Sequence, residues 1–400
     1  MIKQSAIGLN SRSEANPYKE NGFLPLITAP MYSVVDENNY QVFLDNKIQV
    51  CLPRDVGDMS DEYFVSLSLK DFIQYFIELE EDIIPDKKYK VCIDTANGNM
   101  PALHDAIRKA KEIHGNNLII IAGNVASVEA FIELAKTGVD YIRVGIGGGG
   151  CCNTTSNTGV GQEDLYVLIH QCNYLRGDFS KSEFKNGLHN YPFFGTIRRS
   201  DYTEQELKNI HNVKIVADGI STYIKQCETK YGFNDNGYAA INKLLFAGAD
   251  LVMIGKLFAQ CLESAGDKTS QMRYDSGENW IARGKAIGEI WNNDDDQLIV
   301  KYSGMSTQEE QKKYRIDIQQ LEIIDGPTLT TNSNYEYTIK KIGEPFKNIK
   351  PSEGSVQWIP VRWTLSEWLN GSKNQDQYPY LMGWTNSIKS AMAYTGKTTL

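Results

Sequence analysis

Nowhere does the chain approach the roughly 18 consecutive apolar residues of a membrane-spanning helix. Its opening stretch, MIKQSAIGLNSRSEANPYKENG, lacks the apolar centre of a secretion signal, so a cytoplasmic protein is expected. Positive charge is in short supply. With 41 Lys+Arg against 50 Asp+Glu the formal net charge is -9, which disfavours a nucleic-acid polymer or an anionic membrane as partner and confines any anionic ligand to a focused site. The 7 cysteines form an odd set with no CxxC spacing, so neither a disulfide framework nor a zinc site is indicated. Reduced thiols are expected, with Cys51 and Cys92 buried and inert inside strand-like runs. Internal repeats and low-complexity tracts are absent.

What remains is ordinary globular material, 41% hydrophobic and 23% charged. Short β-branched runs recur at 25–30, 48–52, 89–96, 118–125, 141–146, 214–220 and 251–256, and amphipathic stretches such as MPALHDAIRKAKEIHG and SVEAFIELAKTG lie between them. QLIVKYSGM at 297–305 supplies the eighth strand. This alternation predicts a parallel sheet, expected as one TIM (β/α)8 barrel over residues 1–400, with a doubly wound open sheet as the alternative. Three segments exceed a minimal barrel: an insertion at about 162–213, a polar stretch at about 306–350, and a tail from 351 that returns to apolar runs. Several expected strands end in small or polar residues, among them Asp94-Thr95-Ala96-Asn97-Gly98, Gly123-Asn124, Asp218-Gly219 and Gly255-Lys256. In a barrel these ends converge on one mouth, where active sites of the fold are built.

The densest chemical signal follows the run at 141–146. It reads Gly145-Ile-Gly-Gly-Gly-Gly-Cys-Cys-Asn-Thr-Thr-Ser-Asn-Thr-Gly-Val-Gly161. Glycines let backbone groups approach a ligand closely, and a thiol, partly ionised near neutral pH, suits attack on an electron-poor ring carbon.

With this loop the chain resembles the IMP dehydrogenase and GMP reductase family, whose loop reads GxGPGSxCTT and then TGVG or AGVG. The resemblance extends, in order, through Ala29-Pro30-Met31, Asp94–Gly98, Ala122–Val125, Ala217-Asp218-Gly219, Gly248-Ala249-Asp250 to Met253-Ile254-Gly255, Tyr302–Ser306 and Glu353-Gly354. It implies that Cys152 forms an adduct at purine carbon 2 while Thr154 and Glu353 move protons. Asp218 would hold the ribose hydroxyls and Met31 would line the base pocket. The phosphate would meet Gly219, Gly255 and Tyr302, with Gly304 and Met305 beside them. Asp94, Thr95 and Asn97 would face a nicotinamide cofactor, and the carbonyls of Gly147, Gly149 and Cys152 a potassium ion. A purine nucleotide monophosphate is the implied substrate, the 306–350 stretch an active-site flap, and a homotetramer the implied assembly.

The chain also departs from that pattern. Gly148-Gly149-Gly150 replaces the family's PGS and so loses a phosphate-binding serine, Ile220 replaces the second glycine of DGG, and Asn153 replaces a threonine. Lys256 stands where a small residue is usual and is expected to supply charge to the phosphate in the serine's place. The dehydrogenase's paired CBS modules have no room between Arg54 and the run at 89–96. With Asn97 and Ser306, this favours NADPH-dependent reductive deamination of GMP to IMP and ammonia. NAD-dependent oxidation of IMP is the alternative, and a catalytically silent nucleotide-binding barrel a second.

Overall fold

The β-branched runs lie side by side and parallel in a computed structural model, which describes residues 2–79, 87–162, 164–179, 199–232, 235–273, 279–282, 296–303, 321–329, 335–341, 356–371 and 382–400. The strands are β1 (Leu26–Thr28), β2 (Cys51–Leu52), β3 (Phe64–Leu67), β4 (Tyr89–Asp94), β5 (Leu118–Val125), β6 (Tyr141–Val144), β7 (Lys214–Ala217) and β8 (Leu251–Ile254). From β2 to β8 each pairs with its neighbour in sequence, and β8 pairs with β1. The sheet then closes: the Thr28 N–H donates to the Gln49 carbonyl at 3.0 Å, and the Gln49 N–H to the Leu26 carbonyl at 3.0 Å. The fold is a (β/α)8 barrel.

Period-two alternation along each strand sorts two cores. Ile27, Cys51, Phe64, Cys92, Ile121, Val216, Leu251 and Met253 point inward and fill the barrel. Their neighbours Leu26, Leu52, Val91, Ile120, Ile215 and Val252 point outward against the helices. The expected inert burial of Cys51 and Cys92 follows from this inward register, and all seven cysteines are free.

The helices obey their local signals. They are α1 (Tyr40–Asp45), α2 (Leu69–Ile73), α3 (Pro101–His114), α4 (Val128–Ala135), α5 (Thr154–Thr158), α6 (Leu165–Tyr174), α7 (Glu204–Asn212), α8 (Ile220–Tyr231), α9 (Tyr238–Ala247), α10 (Lys256–Ala259), α11 (Leu365–Asn370) and α12 (Trp384–Thr395). In α3, Pro101 opens the first turn, and Leu103, Ala106, Ile107 and Ala110 make the buried stripe. Ser127 caps α4, and a Thr203/Glu206 capping box starts α7. The described part of the 162–213 insertion carries both α6 and α7, which explains its excess length over one crossover helix. Trp368 of α11 and Trp384 of α12 are fully buried and stack at 6.3 Å.

One strand is reassigned. The run at 297–305 is not a barrel strand: its described part is β11 (Asp296–Ser303), in an antiparallel sheet with β9 (Lys268–Arg273), β10 (Asn279–Ala282) and β14 (Val356–Pro360). The missing barrel strand is β3, so the strand after Arg54 begins at Phe64 and not near position 89. It is only four residues long, buried on both faces, and interrupted by Ser66, so it shows neither alternation nor a sustained apolar run. Within the 306–350 stretch, β12 (Leu321–Leu329) pairs with β13 (Tyr335–Lys341). No described helix is long and apolar enough to cross a membrane.

Candidate active site

The barrel's strand order carries the polar strand ends to one mouth, and a buried cation organises them. Arg143, in the middle of β6, is 8% exposed. Its Nη1 donates to Asp94 Oδ1 at 2.8 Å, and its Nη2 and Nε donate to Asp218 Oδ2 at 2.7 and 3.1 Å. Arg54 adds a second cation, its Nη2 donating to Asp94 Oδ2 at 3.0 Å. Burial alone would raise the Asp94 pKa, but the two guanidiniums outweigh it and hold this carboxyl below its ordinary range. Asp218 is further fixed by Asn124 Nδ2 at 2.7 Å and by the Gly219 N–H at 2.6 Å. Asp94, Asn124, Arg143 and Asp218 form one network joining the ends of β4, β5, β6 and β7, and Arg54 enters it from beyond β2. Sequence reading passed over Arg143, although a charged residue inside the strand run YIRVGI was the available signal.

The glycine loop leaves β6 and folds against the start of α8. A Cβ on Gly148 would lie 2.0 Å from the Gly219 carbonyl oxygen, so this approach admits no side chain. The Gly148 carbonyl accepts the Thr222 N–H at 2.9 Å, which ties the loop to the first turn of α8. Further along, the two adjacent thiols separate by environment. Cys151 is buried, its Sγ 3.4 Å from the Tyr302 carbonyl, whereas Cys152 is partly exposed with its Sγ 3.2 Å from Thr154 Oγ1. A thiol open to the mouth and beside a hydroxyl can act as a nucleophile; a packed one cannot.

Other sequence-nominated residues gather around the same loop. A Cβ on Gly150 would meet Lys256 Cδ at 3.3 Å, Tyr302 Cε1 at 3.3 Å and Ser221 Oγ at 3.4 Å. One on Gly255 would meet Met31 Sδ and the Tyr302 hydroxyl, each at 3.1 Å. Met31, Gly150, Ser221, Gly255, Lys256 and Tyr302 therefore converge, and Ser221 is a member that the sequence reading did not nominate. Tyr302 is buried, which pushes its hydroxyl pKa well up and keeps it a proton donor. Gln357 of β14 reaches the loop, its Nε2 donating to the Gly150 carbonyl at 2.9 Å.

At the positions expected to face a nicotinamide cofactor, Thr95 Oγ1 donates to the Gly123 carbonyl at 2.7 Å and Asn97 is exposed at the turn. Both Asp94 oxygens are taken by arginines, so Asp94 organises the mouth more than it offers contacts. In the loop expected to offer carbonyls to a cation, the Gly149 carbonyl accepts the Cys152 N–H at 3.1 Å. Glu353, Gly304 and Met305 lie outside the described residues.

Comparison with known proteins bears on this mouth. Residues 74–179, which include β4 to β6, the glycine loop and Cys152, match the model of the IMP dehydrogenase / GMP reductase domain. A GMP reductase of Phytophthora infestans is 27% identical over 246 residues, 62% of this chain and 48% of the relative. A GMP reductase of Shewanella pealeana is 24% identical over 350 residues, 82% of this chain and 80% of the relative. An inosine-5'-monophosphate dehydrogenase of Chlorobaculum parvum is 32% identical over 177 residues, 44% of this chain and 26% of the relative. The chain thus spans about half the length of the first relative and about four fifths of the second.

Proposed function

We propose that this chain is a purine-nucleotide oxidoreductase of the GMP reductase kind, converting GMP, NADPH and a proton to IMP, NADP+ and ammonia, a reading supported by the match of residues 74–179 to the IMP dehydrogenase / GMP reductase domain model. The observation that carries the reading is the contrast between the two loop thiols, with Cys152 open beside Thr154 and Cys151 packed away.

In this reading the Cys152 thiolate attacks carbon 2 of the purine. A new C–S bond forms as the ring C=N electrons move onto nitrogen, and the 2-amino group leaves as ammonia after gaining a proton. Thr154 Oγ1, 3.2 Å from the sulfur, relays that proton together with Glu353. The C–S bond then breaks and returns the thiolate as IMP is released. Before that cleavage carbon 2 would take up a hydride from bound NADPH in place of the amino group, which lets the C–S electron pair leave with sulfur. Asn97 and Thr95 border the cofactor's position, and Arg54, whose buried Nε has no hydrogen-bond partner among the described residues, faces the Asp94 carboxylate from the β2 side. Backbone oxygens of Gly147, Gly149 and Cys152 are a donor set for a hard cation such as potassium.

The phosphate belongs at the convergence of Gly219, Gly255, Tyr302 and Lys256. Position 150 has lost the family's serine, and the Lys256 stem lies against it, so the ammonium neutralises phosphate without needing precise geometry. Asp218 meets the ribose through whatever acceptor capacity its protein hydrogen bonds leave. A homotetramer in the cytoplasm is part of the same reading.

Absorbance of the reduced nicotinamide tests the proposal. Loss of signal with GMP and NADPH is expected. Gain with IMP and NAD instead would establish the dehydrogenase reading, which the Chlorobaculum parvum relative favours. Silence in both mixtures would contradict either enzyme reading. Lys256→Ala should raise the KM for GMP tenfold or more, and an unchanged KM would remove Lys256 from the phosphate site.

A further inference from the structure

On the outer face of the barrel, a cavity of about 500 Å3 opens beside α8. Its lining includes Lys225, Lys230 and Lys243 against the single carboxylate of Asp164, a local excess of positive charge in a chain of net charge -9. Lys243 comes from α9 and is 4% exposed, yet no carboxylate oxygen among the described residues pairs with its ammonium. An unpaired buried cation is costly, and here three tyrosine rings offset part of that cost. Nζ stands 4.6 Å from the Tyr231 ring centroid, 4.7 Å from that of Tyr166 and 5.5 Å from that of Tyr223.

Ring faces can solvate a cation but do not neutralise it. A second, independent feature points to a missing ligand. Tyr223 lines the cavity, is 3% exposed, and its Oη has no hydrogen-bond partner among the described residues. Burial keeps that hydroxyl protonated, and the Cys227 sulfur beside it is only a weak acceptor, so the donor lacks a strong one. An anion resting against Lys243 would supply both the countercharge and the acceptor. Tyrosine rings and the cavity's volume leave room beside it for a planar or apolar body.

We propose that this cavity is a binding site, separate from the mouth, for a small organic anion: a carboxylate or phosphate monoester carrying a planar, apolar group. Lys243 and Tyr223 hold the anionic end, and Lys225 and Lys230 draw it in.

Calorimetric titration of the full chain with phenyl phosphate tests this site, with benzyl alcohol as the neutral counterpart. Lys243→Met keeps the apolar stem and removes the charge, Tyr223→Phe removes the orphan hydroxyl alone, and Lys256→Ala disables the phosphate position at the mouth. Circular dichroism of each variant confirms folding. One saturable site per chain is expected for phenyl phosphate and none for benzyl alcohol. Affinity should fall tenfold or more in Lys243→Met and several-fold in Tyr223→Phe, and stay unchanged in Lys256→Ala. Absence of binding to the unmodified chain, equal affinity for Lys243→Met, or loss of binding in Lys256→Ala would overturn the proposal. None of these readouts involves turnover, so they stand apart from the reaction assigned to the mouth.

Discussion

At the scale of single residues, the mouth depends on a cation that no motif names. Arg143 neutralises Asp94 and Asp218 together, and removing one partner of a buried charge network leaves the others uncompensated. Arg143→Leu should therefore cost about 3–5 kcal/mol of stability, measured by urea denaturation near neutral pH. The pH dependence follows from the sign of the Asp94 shift. Its folded pKa lies below the unfolded value, so its stabilisation is present above the unfolded carboxylate range and fades as pH falls through the folded pKa. The deficit of Arg143→Leu should shrink below about pH 4, where the uncompensated Asp94 carboxyl protonates; a deficit independent of pH would contradict the network. Sequence could nominate Asp94, Asp218 and Cys152 because they sit at strand ends or in the glycine loop. It could not reveal that Asp94 faces two arginines, since Arg54, Asp94 and Arg143 come from three different strand units and meet only in the closed barrel.

At the scale of elements, position follows from how the glycine loop is pinned. Gly148 packs on Gly219, and the Thr222 N–H of α8 holds the Gly148 carbonyl, so the loop is tied to the helix. Gly148→Ala places a methyl group where the Gly219 carbonyl stands. Turnover should fall at least a hundredfold with a much smaller loss in Tm, because the clash is local to the loop; activity within twofold of the parent would show that the loop does not need this packing. Legibility divides along the same lines. The helices α3 and α4 were readable because each has an apolar stripe or a cap within its own sequence. Barrel strand β3 was not, being short and buried on both sides, and β11 looked like a barrel strand because local pattern carries no information about the partner. Ser221 was likewise invisible: only the folding of α8 against Gly150 makes it a neighbour of Lys256.

At the scale of the whole molecule, the closed barrel separates packing from chemistry. Two apolar cores hold the strands, one inside the barrel and one beneath the helices, while the polar strand ends gather at the mouth. At the mouth Arg54 and Arg143 are paired with Asp94 and Asp218, so the charge for the proposed phosphate site comes from Lys256. The fold sets two neighbouring thiols in different surroundings, and the proposed reaction depends on that difference. Its most direct test is turnover of GMP with NADPH by the parent chain, Cys151→Ala and Cys152→Ala, measured side by side. Cys152→Ala should lose at least a thousandfold while Cys151→Ala keeps most of the parent rate. Full turnover by Cys152→Ala, or a loss confined to Cys151→Ala, would contradict the account.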